Sequence, residues 1–358
     1  MKLTVLNVAF PFAPVTADPV GGAEQVVAAI DRELVARGHR SIVIAHGDSN
    51  VHGELVALPQ APWTFNDFAR AQVQRQLRAA IARVLVNERV DLIHLHGSDF
   101  DSYLPPSGPP VLATLHVPLS WYAPAALHPQ RPRTWLQPVS AHQARSAPNG
   151  VSLLPAIENG VAENPFALRV RERGFALTIG RICPEKGFHE AIDAANLANV
   201  PLLIAGRVFD WPEHRAYFEE RIRPHLNSRV RYIGALIGAR KQRLLAQARC
   251  VLIPSRAPET SSLVAMEALA AGAPVIAYRS GALPDIVEHR ATGFVVEDAR
   301  AMADAIAHCE EIDPTTCVRR MHERFPLMRT LDAYLDLYQR LTCESSWREM
   351  QSGIRRSC

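Results

Sequence analysis

The stretch PSRAPETSSLVAMEALAAGAPVIAYRSGALPDIVEHRATGFVV, Pro254 to Val296, decides how this chain is read. Val251 to Pro254 reads as a short apolar strand that ends in a loop. Ser262 to Ala271 reads as the helix after it, and Val275 to Ala277 as the next strand. Strand, loop, helix and strand in that order are one unit of a parallel sheet. Two carboxylates flank the helix start: Glu259 lies just before it and Glu267 about two turns inside. The backbone N–H groups of Ser261, Ser262 and Leu263 fall where a helix leaves its first donors without partners, which makes a ready phosphate site. A carboxylate beside such a site can accept hydrogen bonds from ribose or sugar hydroxyls. Taken by itself, the pattern reads first as a capped helix with two surface acids.

The same alternation extends outward. Strands at Phe175–Gly180, Leu202–Ala205 and Val230–Ile233 are separated by helices at Phe188–Leu197, Glu213–His225 and Ala239–Ala248. The first half begins with a strand, Leu3–Phe10. A helix opened by Gly21-Gly22 and ended by Gly38 follows, then a strand at Ser41–Ala45 and a long helix at Asn66–Glu88. Asp91–His96, Val111–His116, Trp135–Ser140 and Val151–Ile157 read as further short strands. Short apolar strands between amphipathic helices indicate parallel sheets covered on both faces.

A chain of 358 residues allows two domains at roughly 150 residues each. The expected division is a first α/β domain at 1–163, a polar linker at Asn164–Arg173, and a second α/β domain at 174–326. Asp313-Pro314 opens one helix and Pro326 breaks it. The next, within 327–344, is expected to cross back to the first domain, and the tail Ser345–Cys358 reads as frayed and basic.

Composition sets outer bounds. Hydrophobic residues at 48% and charged residues at 21% are ordinary for a folded protein. A net charge of +3 is too small to argue for nucleic acid. The six cysteines, Cys183, Cys250, Cys309, Cys317, Cys343 and Cys358, form no CxxC pair and show no metal-ligand spacing, which fits reduced thiols. MKLTVLNVAFPFAP reads as a first strand and not a signal peptide. No apolar run reaches the ~18 residues that span a membrane. A cytoplasmic protein is expected, with peripheral contact at the inner face of the membrane left open.

A second constellation follows the second half's first strand. In Gly180-Arg181-Ile182-Cys183-Pro184-Glu185-Lys186-Gly187, Arg181 offers a bidentate fork and Lys186 a mobile point charge, both suited to a pyrophosphate. A solvated basic loop is the plain alternative. The position favours the first reading, because open α/β sheets bind ligands outside the carboxyl ends of their strands.

These residues resemble retaining glycosyltransferases of family 4, which have the two-domain GT-B fold. The family's E-x7-E motif matches Glu259 and Glu267. Its Gly-Arg…Glu-Lys-Gly motif matches Gly180, Arg181, Glu185, Lys186 and Gly187, and its Gly-Gly-x-Glu motif matches Gly21, Gly22 and Glu24. Glu158-Asn159-Gly160-Val161 resembles the family's Asn-Gly-Val before the linker. The resemblance implies two Rossmann-like domains facing across a cleft, with the donor bound by the second. It implies that Arg181 and Lys186 hold the donor diphosphate, that Glu267 binds the ribose, and that Glu259 orients the donor sugar. Gly22 would let the first-domain loop approach the donor closely, and His116 matches a family histidine near the sugar. Ser261-Ser262 depart from the aromatic-Gly pair common in relatives, though serines keep their backbone donors.

The resemblance further implies a nucleoside-diphosphate sugar as co-substrate, a glycan or lipid-linked acceptor, retention of anomeric configuration, and no cofactor or metal. Rival readings are a nucleotide-sugar epimerase on the same fold and a non-catalytic nucleotide-sugar-binding subunit. A nicotinamide-dependent dehydrogenase is disfavoured because no G-x-G-x-x-G follows the first strand. Asp99-Phe100-Asp101 reads as a solvated or acceptor-side loop and not as a metal site. His94 and His96 share one side of a buried strand without an evident third ligand. The helix Asn66–Glu88 reads as core-packed, with Arg70, Arg75, Arg78 and Arg83 on its solvated side.

Overall fold

The computed structural model describes residues 2–16, 21–59, 67–169 and 174–343. These divide into two units, Met1–Glu158 with Arg329–Cys358, and Asn159–Met328.

The first unit carries β1 (Thr4–Val8), α1 (Gly22–Ala36), β2 (Arg40–His46), β3 (Glu54–Leu58), α2 (Asp67–Asn87), β4 (Leu92–Leu95), β5 (Val111–Leu115), β6 (Thr134–Pro138) and α3 (Ala141–Arg145). Its strands form one parallel sheet in the order β3-β2-β1-β4-β5-β6. Helix α1 buries Val26, Val27, Ile30 and Leu34 along one stripe, and its chain turns out at Gly38, whose φ is +78°. Helix α2 buries Val73, Leu77, Ile81 and Val84 and exposes all four arginines, as its pattern predicts. The expected strand at Val151–Ile157 is not one. The segment runs beside β6 and gives it hydrogen bonds from Leu154 and Ile157, but Pro155 between them has no N–H for a continuous ladder. Strand β3 was not foreseen.

The second unit carries β7 (Phe175–Ile179), α4 (Phe188–Leu197), β8 (Leu202–Ala205), α5 (Pro212–Tyr217), β9 (Val230–Tyr232), α6 (Gly238–Gln247), β10 (Ala248–Ile253), α7 (Leu263–Ala270), β11 (Val275–Tyr278), α8 (Leu283–Ile286), β12 (Gly293–Val296), α9 (Ala299–His308) and α10 (Pro314–Arg324). Its parallel sheet runs β12-β11-β10-β7-β8-β9. Numbered within each unit, both sheets have the order 3-2-1-4-5-6, the doubly wound dinucleotide-binding arrangement. The order reverses between β1 and β4 in one unit and between β7 and β10 in the other. A ligand crevice is expected at the carboxyl ends of those strand pairs.

The helix expected over Glu213–His225 holds its α form only to Tyr217. A π turn and a 3-10 turn follow, because Pro224 cannot donate and crowds the preceding turn. The expected linker is not free chain where described: Asn164 donates to the carbonyl of Gln242 at 3.0 Å, and Arg243 stacks on Phe166. Residues 170–173 of that linker, and the tail from 344 onward, lie outside the described residues. Asp313 caps α10 by accepting from Thr315 and Thr316 N–H, with Pro314 in the first turn. Helix α11 (Leu327–Thr342) begins in the second unit and from Arg329 belongs to the first. There it buries Leu331, Tyr334, Leu335, Tyr338 and Leu341, a stripe at helical spacing.

Candidate active site

In the second unit, the loops after β7 and β10 meet at the point where strand order reverses. Gly187 approaches the β10 loop so closely that a Cβ there would lie 2.1 Å from the carbonyl oxygen of Pro254, and its φ is +65°. The main-chain N–H groups of Arg256 and Ala257 both donate to the carbonyl of Glu185. These backbone ties place the Arg181–Lys186 loop against the Glu259 loop.

Across that seam, Lys186 Nζ donates to Glu259 Oε1 at 2.5 Å. Ser255 Oγ donates to the same oxygen. Burial works to raise the Glu259 carboxyl. The Lys186 charge, the two hydrogen bonds and the Arg181 charge outweigh it, so the group is held below its ordinary 4.5. Glu259 is therefore an anion poised between two cations. The seam continues at Gly281, φ +58°, whose Cβ would lie 2.1 Å from the Glu259 carbonyl oxygen, an oxygen that accepts from Ala282 N–H. Arg181 lies over the Trp211 ring at 5.7 Å, a cation–π placement that fixes its direction.

Helix α7 begins at Leu263 with Ser262 as its cap, and the Ser262 side chain makes no capping bond. The expected donors Ser262 and Leu263 lie at this start, and helix geometry adds the N–H groups of Val264 and Ala265 to those without intrahelical acceptors. Ser261 Oγ is buried without a hydrogen-bond partner. Glu267, inside α7, is held by Lys241 of α6, whose Nζ donates to Oε1 at 2.8 Å. Lys241 was not among the residues read from the sequence, since nothing local distinguishes it from any lysine of an amphipathic helix. Arg181, Lys186 and Glu259 thus share one cluster, while the bond that fixes Glu267 comes from a different element.

The remaining candidates belong to the first unit. Gly21 caps α1 and Glu24 occupies the third helical position, with its carboxylate folded back over Gly21: a Cβ on that glycine would meet Oε2 at 1.9 Å. Gly22 opens the helix. His116 follows β5, and its Nε2 lies 3.0 Å from Nδ1 of His96. His94 spends both ring nitrogens on hydroxyls, Tyr338 at 2.6 Å and Thr114 at 2.7 Å. A third histidine thus stands beside the pair, but His94 has no nitrogen left for a metal. Burial lowers all three histidines, His116 to about 4, so the row is neutral near pH 7. Asp99 accepts from Gln74 at 2.7 Å and Asp101 sits in the turn Phe100–Tyr103; neither joins a group of three metal-type ligands among the described residues. A cavity of about 520 Å³ in this unit is lined by Phe100, Asp101, Leu104, Pro124, Ala125 and His128. No helix among the described residues is long and apolar enough to cross a membrane.

The family described as Glycosyltransferase Family 4 matches residues 20–149, and Glycosyl transferases group 1 matches residues 174–311. A phosphatidyl-myo-inositol mannosyltransferase of Mycobacterium leprae is 25% identical, over 82% of this chain and 84% of its own. Among solved structures, sucrose-phosphate synthase of Thermosynechococcus elongatus superposes with a TM-score of 0.77 at 20% identity, covering 95% of this chain and 99% of its own. Anabaena HepE, solved with UDP-glucose, gives 0.74 at 19% identity, covering 94% and 100%. The chain belongs to the family 4 glycosyltransferases and has their GT-B fold.

Proposed function

We propose that this enzyme moves a sugar from a nucleoside-diphosphate sugar to a glycan or lipid-linked acceptor, with retention of anomeric configuration. The observation that carries the reading is the Lys186–Glu259 bond at 2.5 Å across the two loops of the second switch point. Departure of a nucleoside diphosphate builds negative charge, and fixed cations aimed at that charge lower the barrier. Arg181 and Lys186 supply the cations, and the first N–H groups of α7 add an aligned dipole. Glu259 orients the donor sugar and, before donor binds, holds Lys186 in place. Glu267, steadied by Lys241, accepts from the ribose hydroxyls. For Gly22 and His116, in the first unit, the family resemblance implies donor contacts, and burial keeps the His116 imidazole neutral near pH 7.

In a same-face displacement the C1–O bond to phosphate breaks as the acceptor oxygen bonds to C1. The leaving phosphate takes the acceptor proton, so no second carboxylate is needed as nucleophile. The protein's own cations meet the leaving charge, and the chemical step is expected to survive chelation. The UDP-glucose complex of Anabaena HepE and the mannosyltransferase likeness support a nucleotide-sugar donor. The cavity beside Asp101 supports an acceptor role for that loop, and the exposed arginines of α2 suit peripheral contact with an anionic membrane.

A thermal-shift screen of UDP, GDP and ADP tests the donor assignment, since a ligand selective for the native state raises its melting point. One nucleotide should stabilise the wild type and lose its effect in Lys186→Ala. No shift from any of them would refute the site. The matching donor, incubated alone, should return an unaltered sugar; an isomerised sugar would move the enzyme to the epimerases.

A further inference from the structure

We propose that Cys183, Glu185 and His214 form a zinc site beside the donor-side loops, a property separate from sugar transfer and independent of that reading. One ligand atom from each of the three lies within 4.8 Å of the other two, the one such group among the described residues. Cys183 and Glu185 come from the loop after β7, and His214 from the first turn of α5, so a bound ion would staple two elements far apart in sequence.

Two atoms point to a missing ligand. His214 is 4% exposed, yet its Nδ1 is buried without a hydrogen-bond partner. Glu185 Oε2 is likewise buried and unpartnered. Buried polar atoms are normally satisfied, and two orphans in one group of three ligand types call for an explanation. A cation bound by the group would account for both.

The donor set selects the ion. Thiolate, imidazole and carboxylate together suit zinc, whereas magnesium and calcium take oxygen ligands. Tetrahedral zinc bonds of about 2.0–2.3 Å place ligand atoms roughly 3.3–3.8 Å apart, so each edge needs to contract by at most about 1.5 Å. Three protein ligands leave a fourth position for water. Charge also balances: thiolate and carboxylate bring two negative charges to a dication, which offsets the repulsion from nearby Arg181.

The site would act as a staple. Glu185 carries the carbonyl that accepts from Arg256 and Ala257, so fixing its side chain fixes the seam on which Lys186 and Glu259 meet. The ion is held by the loop and takes no step in the transfer.

Tag-free protein equilibrated with zinc and then dialysed tests this by metal content. The wild type should retain one zinc per chain, and so should Cys343→Ser, which removes an exposed thiol elsewhere. Cys183→Ser and His214→Gln should weaken retention by more than about 100-fold, beyond the loss seen when a residue outside the ligand shell is removed. Cobalt titrated into the wild type should give a thiolate-to-metal charge-transfer band at one equivalent, a readout that does not require the variants to fold. Wild-type protein that keeps no stoichiometric zinc and shows no such band, or variants that keep zinc as the wild type does, would overturn the proposal.

Discussion

Lys241 Nζ and Glu267 Oε1 lie 2.8 Å apart, so the second carboxylate of the E-x7-E pair is steadied by a helix that the motif does not include. The Lys241 side chain is 11% exposed and that of Glu267 17%, which leaves little water to replace either partner. Lys241→Met should therefore cost stability, about 2–3 kcal/mol, somewhat below the range for a fully buried pair broken on one side. It should also raise the donor KM more than it lowers kcat, because Glu267 is assigned to ribose binding and not to the reacting bond. Urea unfolding and steady-state kinetics check both halves. Unchanged stability and an unchanged KM would dismiss the role given to Lys241.

Gly187 and Gly281 close the seam from both sides, each at positive φ and each within 2.1 Å, at its would-be Cβ, of a backbone oxygen. Gly187→Ala should destabilise the protein by about 2 kcal/mol or more, combining left-handed strain with a backbone clash that cannot rotate away. Gly281→Ala should behave alike and should lower activity beyond its effect on stability, because it displaces Glu259 itself. Thermal melting with activity per folded molecule separates the two effects. Wild-type melting in either variant would show that the loops are less tightly seated than described.

The histidine row predicts acid sensitivity of a definite sign. His94, His96 and His116 are lowered by burial, so the unfolded chain binds protons on them before the folded chain does. Their contribution is fully present above about pH 6.5 and is lost as pH falls from there toward the folded values. Each can contribute a slope of up to about 1.4 kcal/mol per pH unit across that window. Denaturant midpoints measured between pH 7 and pH 4.5 should fall steeply in the wild type and more gently in His96→Asn. Equal slopes would mean that the imidazoles titrate alike in both states.

Much of this was legible in the sequence. Helix α4 and strand β8 fall on the residues expected from apolar spacing, because Gly187 and the Asn199–Pro201 turn mark their ends. Strand β3 escaped notice because it is an edge: Leu58 is buried while Glu54 and Ala57 face solvent, so no buried run announces it. The Lys186–Glu259 contact was foreseeable from position, since each follows a strand at the point of reversal. The Lys241–Glu267 and Cys183–Glu185–His214 groupings were not, because each joins elements whose packing no local pattern encodes. The spacing of the cysteines carried no metal signal for the same reason: two of the three ligands are not cysteines.

In the proposed reaction Arg181 and Lys186 stabilise charge on the departing diphosphate. Single-turnover rates at saturating donor, measured on folded Arg181→Ala and Lys186→Ala, report that stabilisation. We predict a loss of about 2–4 kcal/mol of transition-state stabilisation in each, roughly 30- to 1,000-fold in rate. Wild-type rates in both variants would contradict it.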